Sequence, residues 1–267
     1  MNAIDQDHRA PVLSVRGLVK RFGSVTALEG IDLDINENEV LGIVGDNGAG
    51  KSTFLALLTG YHHPDSGEFR YRGHPVRITS PARTRRALGI EMVYQDLAMA
   101  PDLSVWENLF LGEEIKRFGI LSSRRAMRAR AGEVLAQMNT KIRPEWQLGQ
   151  LSGGERQLVA IARGLLFDRD IILLDEPTAA ISVAKADDVL NTIGDLHKRG
   201  KTVVLISHRL EDVLAVCTRI AVFVTGRVAQ VLDNRDLTIA DLIHAMFGGA
   251  ADRQRAQWER RQQPGTR

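Results

Sequence analysis

Apolar and polar residues alternate from Leu13 to Leu18 and again from Ile31 to Ile35, the period-two pattern of half-buried strands. Asn36-Glu37-Asn38-Glu39 reads as the turn after the second run. Val40 to Val44 is apolar without interruption, which suits a strand buried on both faces. A helix is expected from Lys51 to about Leu58. A hairpin across Gly73 pairs Glu68–Tyr71 with Val76–Ile78, and a further strand-like run covers Glu91 to Tyr94.

The texture changes from about Leu97 to Gln150. Pro101, the N-cap candidate Ser104 with Glu107 three residues on, and a basic helical segment from Ser122 to Gln137 predict a mostly helical insertion. Its basic face, including Arg124, Arg125, Arg128 and Arg130, carries no interleaved aromatics and reads as solvated surface, not as a nucleic-acid site. Beyond Ser152, helix and strand alternate. Leu158, Ile161, Ala162 and Leu165 share one helical face, and Ile171–Leu174, Val203–Ile206 and Ile220–Val224 are short apolar strands. This pattern predicts an α/β domain built on a parallel sheet with helices on both faces.

Composition narrows the picture. The 267 residues are 44% apolar and 25% charged, with a formal net charge of +2, values of an ordinary globular chain with no general affinity for nucleic acid. The single cysteine, Cys217, permits no internal disulfide and reads as a small apolar residue at a helix end. No apolar run reaches bilayer length and residues 1–11 lack a hydrophobic signal core, so a chain neither secreted nor membrane-spanning is expected. One domain over 12–247 is expected, with a helical subdomain at about 97–165. A polar arm (1–11) precedes it, and a polar, basic tail (251–267) holding Trp258 follows.

The chemistry lies in the connections. Gly45-Asp46-Asn47-Gly48-Ala49-Gly50-Lys51-Ser52, with Thr53 next, is a complete GxxxxGK[ST] phosphate loop between a buried strand and a helix. Its glycines let main-chain N–H groups approach an anion, Lys51 suits β- and γ-phosphates, and Ser52 suits Mg²⁺. Asp175 and Glu176 end the strand Ile171–Leu174, where α/β proteins bind ligands. Asp175 suits Mg²⁺, and Glu176 suits polarising the attacking water. Gln95, His208 and Phe22, each at a strand end, are unremarkable singly. Their order raises them together: Gln95 toward Mg²⁺ and water, His208 toward the γ-phosphate, Phe22 toward an adenine ring. His62, His63 and His74 have no partners at metal-ligand spacing and read as surface residues. In Leu151-Ser152-Gly153-Gly154-Glu155, Ser152 and Glu155 form a capping box for a helix from Gly153 to Leu166. A cap requires neither glycine, and both weaken the first turn unless something must come close.

Phosphate loop, LSGGE and Asp-Glu in this order resemble the ATPases of ABC transporters over roughly Val12 to Phe247. The resemblance implies an α/β fold: a P-loop NTPase (RecA-like) core with a parallel sheet, an N-terminal antiparallel β subdomain and a helical insertion. It implies that Lys51, Ser52, Gln95, Asp175, Glu176 and His208 bind and hydrolyse MgATP, and that Ser152 to Gly154 complete the site of a partner copy in an ATP-bridged homodimer. A transmembrane permease would dock near Gln95–Asn108, at the cytoplasmic face of a bacterial inner membrane. Tyr94-Gln95-Asp96-Leu97-Ala98, Leu103 to Gly112, Pro177-Thr178-Ala179-Ala180 and Leu205 to Leu210 look like the ATPases of monosaccharide importers of the ribose, xylose and fructose type. Such a system implies, indirectly, a periplasmic or lipid-anchored sugar-binding protein. Ser182 stands where many ABC ATPases carry Asp, which puts coupling between the two sites in question; the sugar-importer group often lacks this Asp too, so the resemblance implies no loss of activity. The competing classes are a soluble ABC ATPase of DNA repair or translation and a P-loop kinase of a small metabolite. The first would carry a long coiled-coil insertion or a second cassette. The second leaves LSGGE unexplained and would need an arginine-rich lid.

Overall fold

A computed structural model describes residues 11–117, 121–179 and 181–248; the N-terminal arm up to residue 10, Ala180 and the tail at 251–267 lie outside the described residues. The chain opens with a long hairpin, β1 (Pro11–Phe22) and β2 (Val25–Asn36), followed by β3 (Val40–Gly45) and α1 (Lys51–Thr59). Next come β4 (Ser66–Tyr71), β5 (His74–Val76), α2 (Pro81–Leu88) and β6 (Ile90–Val93). The insertion comprises α3 (Val105–Phe110), the two-residue strands β7 (Lys116–Arg117) and β8 (Leu121–Ser122), and α4 (Arg124–Gln137). A 3₁₀ turn at Leu148–Gln150 leads into α5 (Gly153–Leu166). The chain returns to the core with β9 (Ile171–Asp175), α6 (Val183–Lys198), β10 (Thr202–Ile206), α7 (Leu210–Val216), β11 (Arg219–Val224) and β12 (Arg227–Asp233).

Two sheets organise these elements. The order β2-β1-β4-β5 forms an antiparallel sheet, and β12-β11-β3-β10-β9-β6 forms the central one. Within the central sheet β11, β3, β10, β9 and β6 run parallel, and β12 adds an antiparallel edge. Side chains alternate across it. Val40, Val44, Ile172, Leu174, Val203 and Leu205 enter one core with α5, α6 and α7. Leu41, Ile43, Ile171, Leu173, Val204 and Ile206 enter a second core with α1 and the antiparallel sheet. Both faces are dry, which is why these strands read as unbroken apolar runs. Consequently α1 and α5 sit on opposite faces of one sheet.

Several expectations shift. The second strand of the Gly73 hairpin lies two residues earlier than the sequence predicts. Arg72 and Gly73 both take positive φ (49° and 80°), so Tyr71 pairs directly with His74 across a two-residue turn. Helix α4 begins at Arg124, not Ser122, because Ser122 pairs with Lys116 in the small hairpin. One face of the sheet is covered largely by β-structure, not by helices alone. Helix α2 is an addition. Ser80 caps it by accepting from the Arg83 N–H at 3.4 Å, and Pro81 and Gly89 bracket it, yet it buries only Thr84 and so has no apolar stripe to announce it.

Candidate functional site

The carboxyl ends of β3, β10, β9 and β6 run out on one edge of the sheet, and they carry the phosphate loop, His208, Asp175-Glu176 and Gln95 in that spatial order. Parallel pairing brings this about: Ile43 lies beside Ile206, Ile206 beside Asp175, and Leu174 beside Val93. Residues far apart in the chain therefore share one crevice, as ligand sites of open α/β sheets do.

The phosphate loop leaves β3 at Gly45. A Cβ there would stand 2.3 Å from the Phe223 carbonyl oxygen, so only glycine fits. Gly50 takes φ 98°, and a Cβ there would meet the Ala27 carbonyl oxygen at 2.6 Å. The loop thus lies tight against β2 and β11. Lys51 is buried, and its Nζ spans the loop by donating to the Gly45 and Asp46 carbonyls at 2.7 and 2.9 Å. Burial lowers its pKa, and the carboxylates Glu176, Asp46 and Asp175 oppose that shift. Asn47, Gly48 and Ser52 are exposed around it, the Asn47 N–H donates to the Asp46 carboxylate at 2.7 Å, Ala49 is buried, and Thr53 is half-buried.

Asp175 is pushed up in pKa by burial and by the neighbouring Glu176, while Ser52 and Lys51 pull it back. Its Oδ1 is buried and has no hydrogen-bond donor. An orphaned carboxylate oxygen beside a serine hydroxyl is the donor set that an oxygen-preferring divalent cation takes, so the residues fit Mg²⁺. Among the described residues no cluster of three or more His, Cys, Asp or Glu offers a fully protein-built metal site.

Glu176 follows in a left-handed backbone conformation, φ 49°, rare for a non-glycine residue. Its N–H donates to Ile206 O at 2.9 Å, which fixes that turn against β10. The turn aims the carboxyl at His208, whose Nε2 lies 2.7 Å from Glu176 Oε1. Thus the structure joins His208 to Glu176 directly. The loop beyond is anchored underneath, where the buried Thr178 hydroxyl donates to Asp212 at 2.6 Å. Gln95 is exposed just past β6.

Phe22 is the last residue of β1 and is 42% exposed. Val25, its cross-strand partner, is 63% exposed. Together they form an apolar step roughly 7 Å along the strand from Ala27, the residue touching Gly50. Val25 escaped the sequence reading because a single exposed valine beside a turn has no distinguishing signal. His62 is not a simple surface residue: it is half-buried, its ring edge-on to Phe22 at 5.0 Å.

Ser152 caps α5. Its Oγ accepts from Glu155 N–H at 3.4 Å and donates to Glu155 Oε2 at 2.7 Å, which holds the Glu155 carboxyl below its usual pKa. Gly154 corrects the sequence argument. It is buried against α6, where a Cβ would stand 2.8 Å from Lys185 Cβ, so helix packing alone demands this glycine. Gly153 is exposed. In an exposed helix Ala stabilises over Gly by about 1 kcal/mol. Here Gly154→Ala should instead lower the melting temperature; a rise in a thermal melt would contradict the packing.

The sequence pattern of the ABC transporter family matches residues 28–179, which include the phosphate loop, LSGGE and Asp175-Glu176. The chain belongs to the ABC transporter family. Among relatives of this ABC cassette, the fructose import ATP-binding protein of Rhizobium meliloti is 42% identical, covering 89% of this chain and 94% of its own length. A xylose/arabinose import ATP-binding protein of Sulfolobus acidocaldarius is 38% identical, covering 88% of this chain and 93% of its own. A ribose import ATP-binding protein of Rubrobacter xylanophilus is 40% identical over 89% of this chain, which spans only 48% of that relative. Among solved structures, a nucleotide-free ATP-binding cassette from an ABC transporter superposes with TM-score 0.76 at 27% identity, covering 85% of this chain and 92% of that one. The dimeric post-hydrolysis state of another cassette, bound to ADP and Pi, superposes with TM-score 0.72 at 28% identity, covering 84% and 100%.

Proposed function

We propose that this ABC cassette binds and hydrolyses MgATP to drive import of a monosaccharide through a separate membrane permease. The observation that carries the hydrolytic part is the meeting of phosphate loop, Asp175, Glu176 and His208 at one sheet edge. The loop N–H groups and the α1 N-terminus receive the β- and γ-phosphates, and Lys51 exchanges its loop carbonyls for phosphate oxygens. Phe22 and Val25 seat the adenine. Ser52, Asp175 and Gln95 would hold Mg²⁺, which neutralises charge that develops on the phosphates. Glu176, oriented by His208, accepts the proton of the attacking water. Gln95 orients that water from the neighbouring strand end.

The sugar class rests on the relatives named for fructose, ribose and xylose/arabinose import. No helix among the described residues is long and apolar enough to cross a membrane. Docking on that permease would hold the cassette at the cytoplasmic face of the membrane. The decisive test is co-purification with a permease, followed by ATPase assays with candidate sugar-binding proteins loaded with monosaccharides. Stimulation by one loaded protein establishes the reading; turnover indifferent to every sugar refutes the sugar assignment.

Lys51→Ala tests the nucleotide site alone. A ligand at 100 times its Kd stabilises a fold by about 2.7 kcal/mol. The variant should lose most of the MgATP-dependent rise in melting temperature yet keep its ligand-free melting point near the parent's. An unchanged MgATP shift with unchanged turnover removes Lys51 from the site.

A further inference from the structure

We propose that Arg163 is a positioning residue: one side chain on α5 holds both ends of the segment that carries Gln95, and so ties Gln95 to the helix that begins at Ser152. This rests on the function proposed above.

The first anchor is Glu91, on β6 before Gln95. It is 2% exposed and lies among three guanidinium groups: Arg85 Nε at 3.3 Å, Arg163 Nε at 3.6 Å and Arg169 Nε at 3.5 Å. Arg169 also pairs with Glu113 and donates to Arg85 O at 3.1 Å. Burial pushes the Glu91 carboxyl up in pKa and the three arginines pull it down. The second anchor lies after Gln95. Arg163 Nη1 donates to Asn108 O at 3.3 Å and Nη2 to Leu111 O at 3.2 Å, at the end of α3. Asn108 extends this hold. Its side-chain amide donates to Ala100 O at 2.9 Å and Ser104 O at 3.0 Å, and its Oδ1 accepts from Ala100 N–H at 2.8 Å. The loop from Gln95 to Ser104 is thereby pinned to α3, and α3 to Arg163.

A buried charge cluster of this kind is poor evidence for stability, because desolvation offsets the attraction. Glu91 Oε2, Arg163 Nε and Arg169 Nε even lack well-formed hydrogen bonds. Geometry is the better account. Arg163 lies roughly 16 Å along α5 from Ser152, at 1.5 Å per residue. A helix is stiff over that length. When a partner's nucleotide engages the Ser152 end, any shift of α5 reaches Glu91 and the α3 carbonyls through one guanidinium fork. Lysine keeps the charge but lacks the fork.

The test uses Arg163→Lys, and Glu91→Gln as an isosteric second variant, each alone and combined with Glu176→Gln. With Glu176 intact, kcat should fall at least about tenfold while ATP affinity, read with a fluorescent analogue, stays within about twofold. In the Glu176→Gln background MgATP should still yield the dimer by sedimentation. Hydrogen exchange in peptides spanning 95–111, which MgATP should slow in the parent, should no longer be slowed. A folded variant with parental kcat and parental protection overturns the proposal while leaving the ATP-bridged dimer standing. A lowered melting temperature with kcat unchanged at permissive temperature also overturns it, by showing a purely structural role. If the Glu176→Gln parent itself forms no MgATP-dependent dimer, the underlying reading fails instead.

Discussion

Glu176→Gln is expected to bind MgATP as tightly as the parent chain and to release phosphate about 10² to 10⁴ times more slowly. The amide keeps the size of the carboxyl and can still contact His208 Nε2, now 2.7 Å from Oε1, so the loop should hold its shape. What it loses is the capacity to take a proton. The left-handed turn at Glu176 supports this assignment independently: φ 49° on a residue with a Cβ costs energy, and the N–H bond to Ile206 O holds it there. The turn aims the carboxyl along the sheet edge toward the phosphate loop, where the Glu176 charge reaches Lys51. Phosphate release at saturating MgATP decides the matter, with a melting-temperature shift as the control for binding. Turnover within a few-fold of the parent would exclude Glu176 as the base and shift attention to a different water-orienting group such as Gln95.

Much of this architecture was readable from residue order because the governing forces are local or strongly periodic. The strands β3, β9 and β10 bury every apolar side chain, and continuous apolar runs announce such strands. The start of α5 was readable because Ser152 and Glu155 satisfy each other within one turn. Asp175, His208 and Gln95 were readable as candidates because parallel strands deliver their carboxyl ends to one edge. The residues that were not readable depend on tertiary proximity. Gly154 is fixed by Lys185 on another helix, and Glu91 by arginines from α2, α5 and the turn before β9. Val25 matters only because Ala27 touches Gly50. No spacing in the chain encodes those contacts. Helix α2 fails for a different reason: it lies on the surface with one buried residue, so its capping signals stood without periodicity.

The Glu176→Gln variant is expected to sediment as a monomer without nucleotide and as a dimer with MgATP, and adding Ser152→Arg is expected to abolish the dimer. The reason lies in the two faces of the central sheet. Helix α1, which rises from the phosphate loop, packs on one face with Phe54, Leu55 and Leu58. Helix α5 packs on the other, with Gly164 so close to β9 that a Cβ would meet Ile172 Cδ1 at 2.6 Å. Strands β3 and β9 are separated by β10, about 10 Å at ordinary strand spacing. The Ser152 end of a chain therefore cannot close over its own phosphate loop without breaking a sheet whose strands are fully buried. A second copy, placed head to tail, can present its exposed Ser152 and Gly153 N-terminus to the γ-phosphate, with the helix dipole favouring the anion. Nucleotide at that junction contributes binding energy that only the dimer collects, so MgATP must favour association. Hydrolysis would remove the γ-phosphate and with it that contact, letting the pair open. Arg at 152 adds bulk at the junction and also breaks the capping box, so Ser152→Ala, which removes the hydroxyl and the box at a cost of about 0.5–2 kcal/mol to the helix but adds no bulk, separates bulk from the loss of the hydroxyl. Dimerisation retained in Ser152→Ala and lost in Ser152→Arg locates the contact at this surface. A Glu176→Gln chain that stays monomeric well above nucleotide saturation, or a Ser152→Arg variant that dimerises as well as its parent, refutes it.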